Sequence, residues 1–117
     1  MQTIREFATA LRRRPGVEAV IVSGRDGLLI EGTAGDALDL QDLAARVPSF
    51  VSEAVGLGEA SRLGDFVTGI LEHDQGYAIV SSIGNDALLT VLTTKSVDLG
   101  SLLFDVRSQR SSIGSLV

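Results

Sequence analysis

The chain has 117 residues, 44% hydrophobic but only 4% aromatic with no Trp, which fits one domain (1–117) with a core of Val, Ile, Leu and Ala. No apolar run approaches the ~18 residues of a membrane span, and zero cysteines exclude disulfides, thiolate nucleophiles and Cys-based metal centres. A net charge of −5 argues against nucleic acid, and the acids gather between Asp36 and Asp86, so a partner docking there is expected to be basic.

Ile4, Phe7, Ala8 and Leu11 fall at i, i+3, i+4 and i+7, and Thr3 with Glu6 has the spacing of a capping box, so residues 3–14 are expected to form a short amphipathic helix. Arg12, Arg13 and Arg14 complement the negative end of its dipole, and Pro15-Gly16 stops it. The start of the chain lacks the basic and apolar stretches of a signal peptide, which makes the cytoplasm the expected compartment.

Val17–Ser23 and Leu28–Glu31 read as a hairpin turned at Gly24-Arg25-Asp26-Gly27, where Asp-Gly favours positive φ. Val17, Ala19 and Ile21 alternate with Val20 and Val22. A strand apolar on both faces belongs in the middle of a sheet, with helices on either side.

Gly32–Leu38 is expected as a loop and Asp39 as the N-cap of a long helix, whose apolar period runs from Leu40 through Leu43, Val47, Phe50, Val51, Ala54 and Val55 to Leu57. Pro48 removes a hydrogen bond and crowds the carbonyl four residues back, at about 3 kcal/mol, so a kink or break is expected there. Gly56 and Gly58 weaken the helix near its end, either for close backbone approach or as a sign of fraying. Phe66–Glu72, Gly76–Ile83 and Ala87–Thr94 then read as a three-stranded meander, and Asp98 caps a last helix carrying Leu99, Leu102, Leu103, Val106 and Ile113. The order αββαβββα predicts an α/β (α+β) sandwich with a five-stranded antiparallel sheet and helices on both faces.

Catalytic and cofactor signatures are missing. There is no P-loop, and the glycines near Arg25 sit in a hairpin turn rather than opening a helix, so their amides are poorly placed to cradle phosphate. His73, the single histidine, lies in a turn beside Asp74, and no serine has a nucleophile-elbow context. No catalytic residue, cofactor or metal ligand is assigned, and the chain is expected not to be an enzyme. Arg25, on a turn tip, is the one residue with a precedent in GTPase activation in trans.

Sheet edges give the stronger inference, since an open edge is a row of unpaired backbone groups that proteins either block or pair. The third strand has neither Pro nor Lys and follows a helix with a wide apolar face. Pairing with its own copy would extend the sheet across a two-fold axis, with Val47, Val51, Ala54, Val55, Phe66, Val67 and Ile70 in the interface.

Gly16-Val17-Glu18-Ala19-Val20, Asp26-Gly27-Leu28, the long alanine-containing helix, Ile83-Gly84-Asn85-Asp86-Ala87-Leu88-Leu89 and Leu99-Gly100 together resemble the Roadblock/LC7 family over residues 2–116. The resemblance implies a profilin-like sandwich and a dimer joined through the second helix and third strand. It also implies service to a small Ras-like GTPase as scaffold, regulator or activator, most like the bacterial MglB type. The Arg-rich, Lys-poor composition favours a bacterial source. Two other readings stand beside it. One is a small-molecule sensor, favoured by a buried polar group among Ser81, Ser82, Thr90 and Thr93. The other is a structural light-chain-type dimer in a motor or signalling complex.

Overall fold

The computed structural model describes residues 2–117. Its elements are α1 (Ile4–Arg12), β1 (Val17–Gly24), β2 (Leu29–Ala34), α2 (Leu40–Ser61), β3 (Thr68–His73), β4 (Gly76–Ile83), β5 (Ala87–Thr94) and α3 (Leu99–Gly114). The five strands form one sheet in the order β2-β1-β5-β4-β3, antiparallel at every junction. The expected element order and sandwich are therefore present, and β1 is the strand that knits the N-terminal hairpin to the C-terminal meander by pairing with β5.

Local chemistry sets the helix starts. Thr3 Oγ1 accepts from the Glu6 amide at 3.1 Å while Glu6 Oε1 accepts from the Thr3 amide at 3.3 Å, a reciprocal capping box. Asp39 and Asp98 cap α2 and α3 by accepting from the amides of Asp42 and Ser101, each at 3.1 Å. Arg14 leaves the end of α1 to pair with Asp105 and donate to Ser101 at 2.8 Å, which ties α1 to α3.

The two faces of the sheet carry separate cores. On one, Phe7, Ala8 and Leu11 of α1 and Leu102, Val106 and Ile113 of α3 pack on Val20, Val22, Ile79, Ile83, Leu89 and Val91. On the other, Val47 and Val51 of α2 pack on Val80 and Leu88, with Phe50, Val55 and Phe66 at the margin. The strand alternation that made β1 apolar on both faces is thus used in full.

Several boundaries differ from the sequence reading. The expected loop at Gly32 is strand, because Gly32, Thr33 and Ala34 pair with Ile21, Val20 and Ala19, and ladder pairing outweighs the low strand preference of glycine. No break occurs at Pro48, since α2 is helical from Leu40 to Ser61. Contacts on the turn side steady it: a Cβ at Gly27 (φ +88°) would sit 3.1 Å from Pro48 Cγ and 3.4 Å from the Ala44 oxygen, the carbonyl that Pro48 leaves without its helical donor. At the helix end, close approach explains Gly58, whose Cβ would lie 2.8 Å from the Gly64 oxygen, whereas Gly56 faces open space.

The third strand begins at Thr68 rather than Phe66. Phe66 turns out of the sheet and stacks edge-on against Phe50, ring centroids 6.3 Å apart, because burying an aromatic ring outweighs extending a ladder by one residue.

Candidate interaction edge and its flanking helix

Two strands of the sheet have a free side, β2 and β3, and their surroundings differ. Both α1 and α2 pack on β2, whereas β3 packs mainly on β4. β2 is further guarded by the Arg5–Glu31 ion pair at 3.3 Å, by Arg12 donating to Thr33, and by a register irregularity opposite Val22 and Ser23. Bulges and charges of this kind discourage edge pairing.

β3 has no helix cover of this extent and no register irregularity, and its one ion pair, Glu72–Lys95, lies near its end. It is paired residue for residue with β4 from Thr68↔Ser81 to His73↔Gly76. The Ser82 amide donates to the Val67 carbonyl at 2.9 Å, so by alternation Thr68, Ile70 and Glu72 turn their backbone groups outward. Val67 and Ile70 are 43% and 41% exposed.

α2 crosses the sheet diagonally. Its start lies by β2, with Leu40 against Gly32, and its later turns reach β3, with Phe50 against Gly69. The divergence opens a groove of about 390 Å³, in which Leu43, Arg46 and Phe50 of the helix face Leu71 and His73 of β3, over a floor that includes Thr90. Helical spacing carries the flank of Leu43 and Phe50 on to Ala54 and Leu57. Leu57 is 68% exposed, and Leu63 just beyond the helix is 79% exposed. Facing away from the sheet, Ala45, Ser49, Ser52, Gly56 and Ala60 are all exposed and small, and nothing lies within 4 Å of a Cβ placed at Gly56.

The seven predicted interface residues thus divide. Val67 and Ile70 are exposed on the edge, and Ala54, Val55 and Phe66 are half-buried beside it. Val47 and Val51, at 9% and 5% exposure, belong to the protomer's own core. Apolar periodicity marks the stripe a helix buries but does not say whether its own sheet or another chain covers it. Leu57, read in the sequence as part of the apolar period of the helix, and Leu63, not singled out there, are both exposed.

The remaining candidates have structural occupations. In the β1–β2 turn the Gly24, Gly27, Leu28 and Arg25 amides donate to Leu28 O, Gly24 O, Asp26 Oδ1 and Asp86 O, so those donors are spent on the fold. Arg25 folds back, its Nε donating to Asn85 O at 3.0 Å and Nη2 to Ser82 Oγ at 2.7 Å, and does not project as a free finger. His73 closes β3 opposite Gly76 and is exposed. Ser81, Ser82, Thr90 and Thr93 are all buried. The first, second and fourth have hydrogen-bond partners; the Thr90 hydroxyl has none. No helix among the described residues is long and apolar enough to cross a membrane.

The fold is a three-layer sandwich with one guarded edge and one open edge. The Roadblock/LC7 domain profile matches residues 4–93, and the chain belongs to the Roadblock/LC7 domain family. A Roadblock/LC7 domain from Streptomyces avermitilis superposes with a TM-score of 0.85 at 21% identity, covering 96% of this chain and 95% of that one. Myxococcus xanthus MglB gives 0.88 at 17% identity over 97% and 93%. The gliding protein MglB of Thermus thermophilus gives 0.81 at 15% identity over 99% and 92%. The structural likeness therefore extends through α3, beyond the end of the matched profile. No curated protein sequence matches this chain significantly.

Proposed function

We propose that this chain is a non-enzymatic homodimer that binds a small Ras-like GTPase and modulates its nucleotide cycle or location. The single observation that carries the assembly is the unguarded β3 edge beside an α2 flank with exposed Leu57. Antiparallel pairing of β3 with its copy puts both α2 helices on one face of a continuous sheet. The late turns of each α2, which lie over the start of its own β3, then come to the end of the partner's β3, where the groove opens. Leu57 of one protomer is the knob for the other's groove, flanked by Ala54, Phe66 and Val67.

The GTPase reading rests on family membership and on the MglB neighbours. On the outward face of α2 a stripe of small residues, Ala45, Ser49, Ser52, Gly56 and Ala60, is flanked by exposed Glu53 and Glu59 and offers a globular partner a contact strip between charged side chains. Any effect on hydrolysis comes from preference for one conformation of the GTPase switch loops, since this chain supplies no free catalytic arginine from its turn. The test is capture from the native lysate on tagged protein with GDP or a non-hydrolysable GTP analogue. Enrichment of one Ras-like GTPase in one nucleotide state, lost in Gly56→Arg while the dimer persists, is the expected result. Capture of only kinase or motor subunits, in both states, overturns it in favour of a structural dimer.

A second reading has one specific observation behind it, the unpartnered Thr90 hydroxyl under the groove, which suits a small amphiphile held between α2 and the sheet. Native mass spectrometry separates the two. A retained small molecule on the monomer favours sensing, and an unliganded dimer favours the knob-in-groove assembly.

A further inference from the structure

Next to the β3 edge lies a second cavity, about 540 Å³, created by unequal strands. β4 runs to Ile83, but β3 starts only opposite Ser81, and past Val67 the chain leaves the sheet toward Phe50. The end of β4 is therefore a notch in the sheet edge. Two arginines from distant parts of the chain occupy its floor: Arg110 Nε donates to Ser82 O at 2.9 Å, and Arg25 Nη2 donates to Ser82 Oγ at 2.7 Å. Like Arg12, Arg13, Arg62 and Arg107, Arg25 and Arg110 pair with no carboxylate among the described residues, but only these two meet at one residue. Both Nη groups of Arg110 and Nη1 of Arg25 make no hydrogen bond there either. Glu59 and Asp65 border the notch without engaging them.

We infer that this notch receives the β3–β4 hairpin tip of a second copy, with the partner's Asp74 carboxylate between Arg25 and Arg110. The inference rests on the β3-edge dimer proposed above. Antiparallel pairing through the outward-facing residues Thr68, Ile70 and Glu72 centres the two-fold axis on Ile70 and sets Thr68 opposite the partner's Glu72. The tip residues then run past the end of the pairing and arrive beside Val67, where the notch opens. The tip carries two acids, Glu72 and Asp74. Glu72 is held by Lys95 of its own protomer, and Asp74 has no ion-pair partner among the described residues. Guanidinium groups with unspent paired N–H donors are the side chains best matched to a carboxylate. Symmetry makes the contact twice, once at each end of the seam.

The test is sedimentation of the intact chain over a concentration series, with wild type, Asp74→Asn, Asp74→Arg, and Asp74→Arg combined with Arg110→Glu. Asp74→Asn is expected to raise the dimer Kd about tenfold at low salt and Asp74→Arg about a hundredfold, both effects shrinking as salt screens the pairs. The charge-exchanged double variant is expected to return to within about threefold of wild type. A second arm uses the absence of native cysteine. Asp74→Cys protomers mixed with Asn85→Cys protomers are expected to cross-link into mixed dimers through a short bismaleimide, whether or not Arg110→Glu folds. A wild type that is monomeric throughout fails the edge-dimer reading itself. A dimeric wild type whose Kd ignores Asp74→Arg, or in which mixed dimers do not cross-link, overturns only the docking of the hairpin in the notch.

Discussion

The two outer strands of the sheet are each six residues long, yet one has its free side guarded and the other has it open. β2 is overlaid by two helices, flanked by Arg5–Glu31 and distorted opposite Val22 and Ser23. β3 has a straight register, exposed Val67 and Ile70, and a groove and a notch on either side of the seam it would form. The contrast teaches that edge strands are distinguished less by their own residues than by what the neighbouring helices place over them. Ile30 is more exposed than Ile70, so exposure alone does not distinguish the two edges.

The largest expected effect is at the backbone of the open edge. Ile70 points its N–H away from β4, so Ile70→Pro deletes an outward donor while sparing the ladder within the protomer. The dimer Kd is expected to rise at least about a hundredfold, read by sedimentation, with the far-ultraviolet circular dichroism preserved. Ile30→Lys on β2 is expected to leave assembly unchanged. If Ile30→Lys dissociates the dimer and Ile70→Pro does not, the assignment of the two edges is reversed.

Next comes the knob. Leu57→Asp places a charge opposite the partner's Leu43 and Phe50, and truncated anchors in desolvated pockets cost about 2 kcal/mol or more. A rise in Kd of roughly thirtyfold is expected, with no change in the melting temperature of an Ile70→Pro monomer background, because Leu57 is exposed within the protomer. A smaller and opposite effect is expected at Gly56, where a methyl group meets nothing within 4 Å. Gly56→Ala is expected to stabilise the helix by about 1 kcal/mol without altering the dimer Kd. A loss of stability would show that the helix face is covered in the free chain.

Most of the fold was legible because local signals agreed with the global arrangement: Thr3 and Glu6, Asp39 and Asp98 each cap the helix their spacing announced. The errors lie where tertiary contacts overrule local preference. Gly32 is strand because Ile21 pairs with it, Pro48 is accommodated against Gly27, and Phe66 abandons the strand for Phe50. The site was half legible. An unblocked third strand could be seen in the composition of residues 66–71, but the division of α2 into a core stripe at Val47 and Val51 and an exposed flank at Leu57 depends on the diagonal crossing of the helix. The notch depends on Arg25 and Arg110, 85 positions apart, meeting at Ser82, and no periodicity encodes that.

The smallest expected effect concerns the one ion pair on the open edge. The Lys95 ammonium hydrogen-bonds and attracts the Glu72 carboxylate, holding its pKa below the ordinary glutamate range, and Glu72 in turn raises that of Lys95, whose ammonium also lies 4.9 Å from the Tyr77 ring centroid. For a depressed carboxylate, the contribution to stability is present above the unfolded pKa and fades as pH falls through the folded one; for the raised ammonium, it is present below the unfolded pKa and fades as pH rises through the folded one. Between those limits the pair keeps Glu72 occupied within its own protomer. Titration of the Glu72 side chain by carbon-13 NMR is therefore expected to give a midpoint that returns toward the ordinary value in Lys95→Ala. Both groups are exposed, so the melting temperature is expected to move little. Release of Glu72 also makes it a competitor of Asp74 for the arginines of the notch. Lys95→Ala should accordingly soften the dependence of the dimer Kd on Asp74→Asn, and an undiminished dependence would show that the two acids of the hairpin act on separate surfaces.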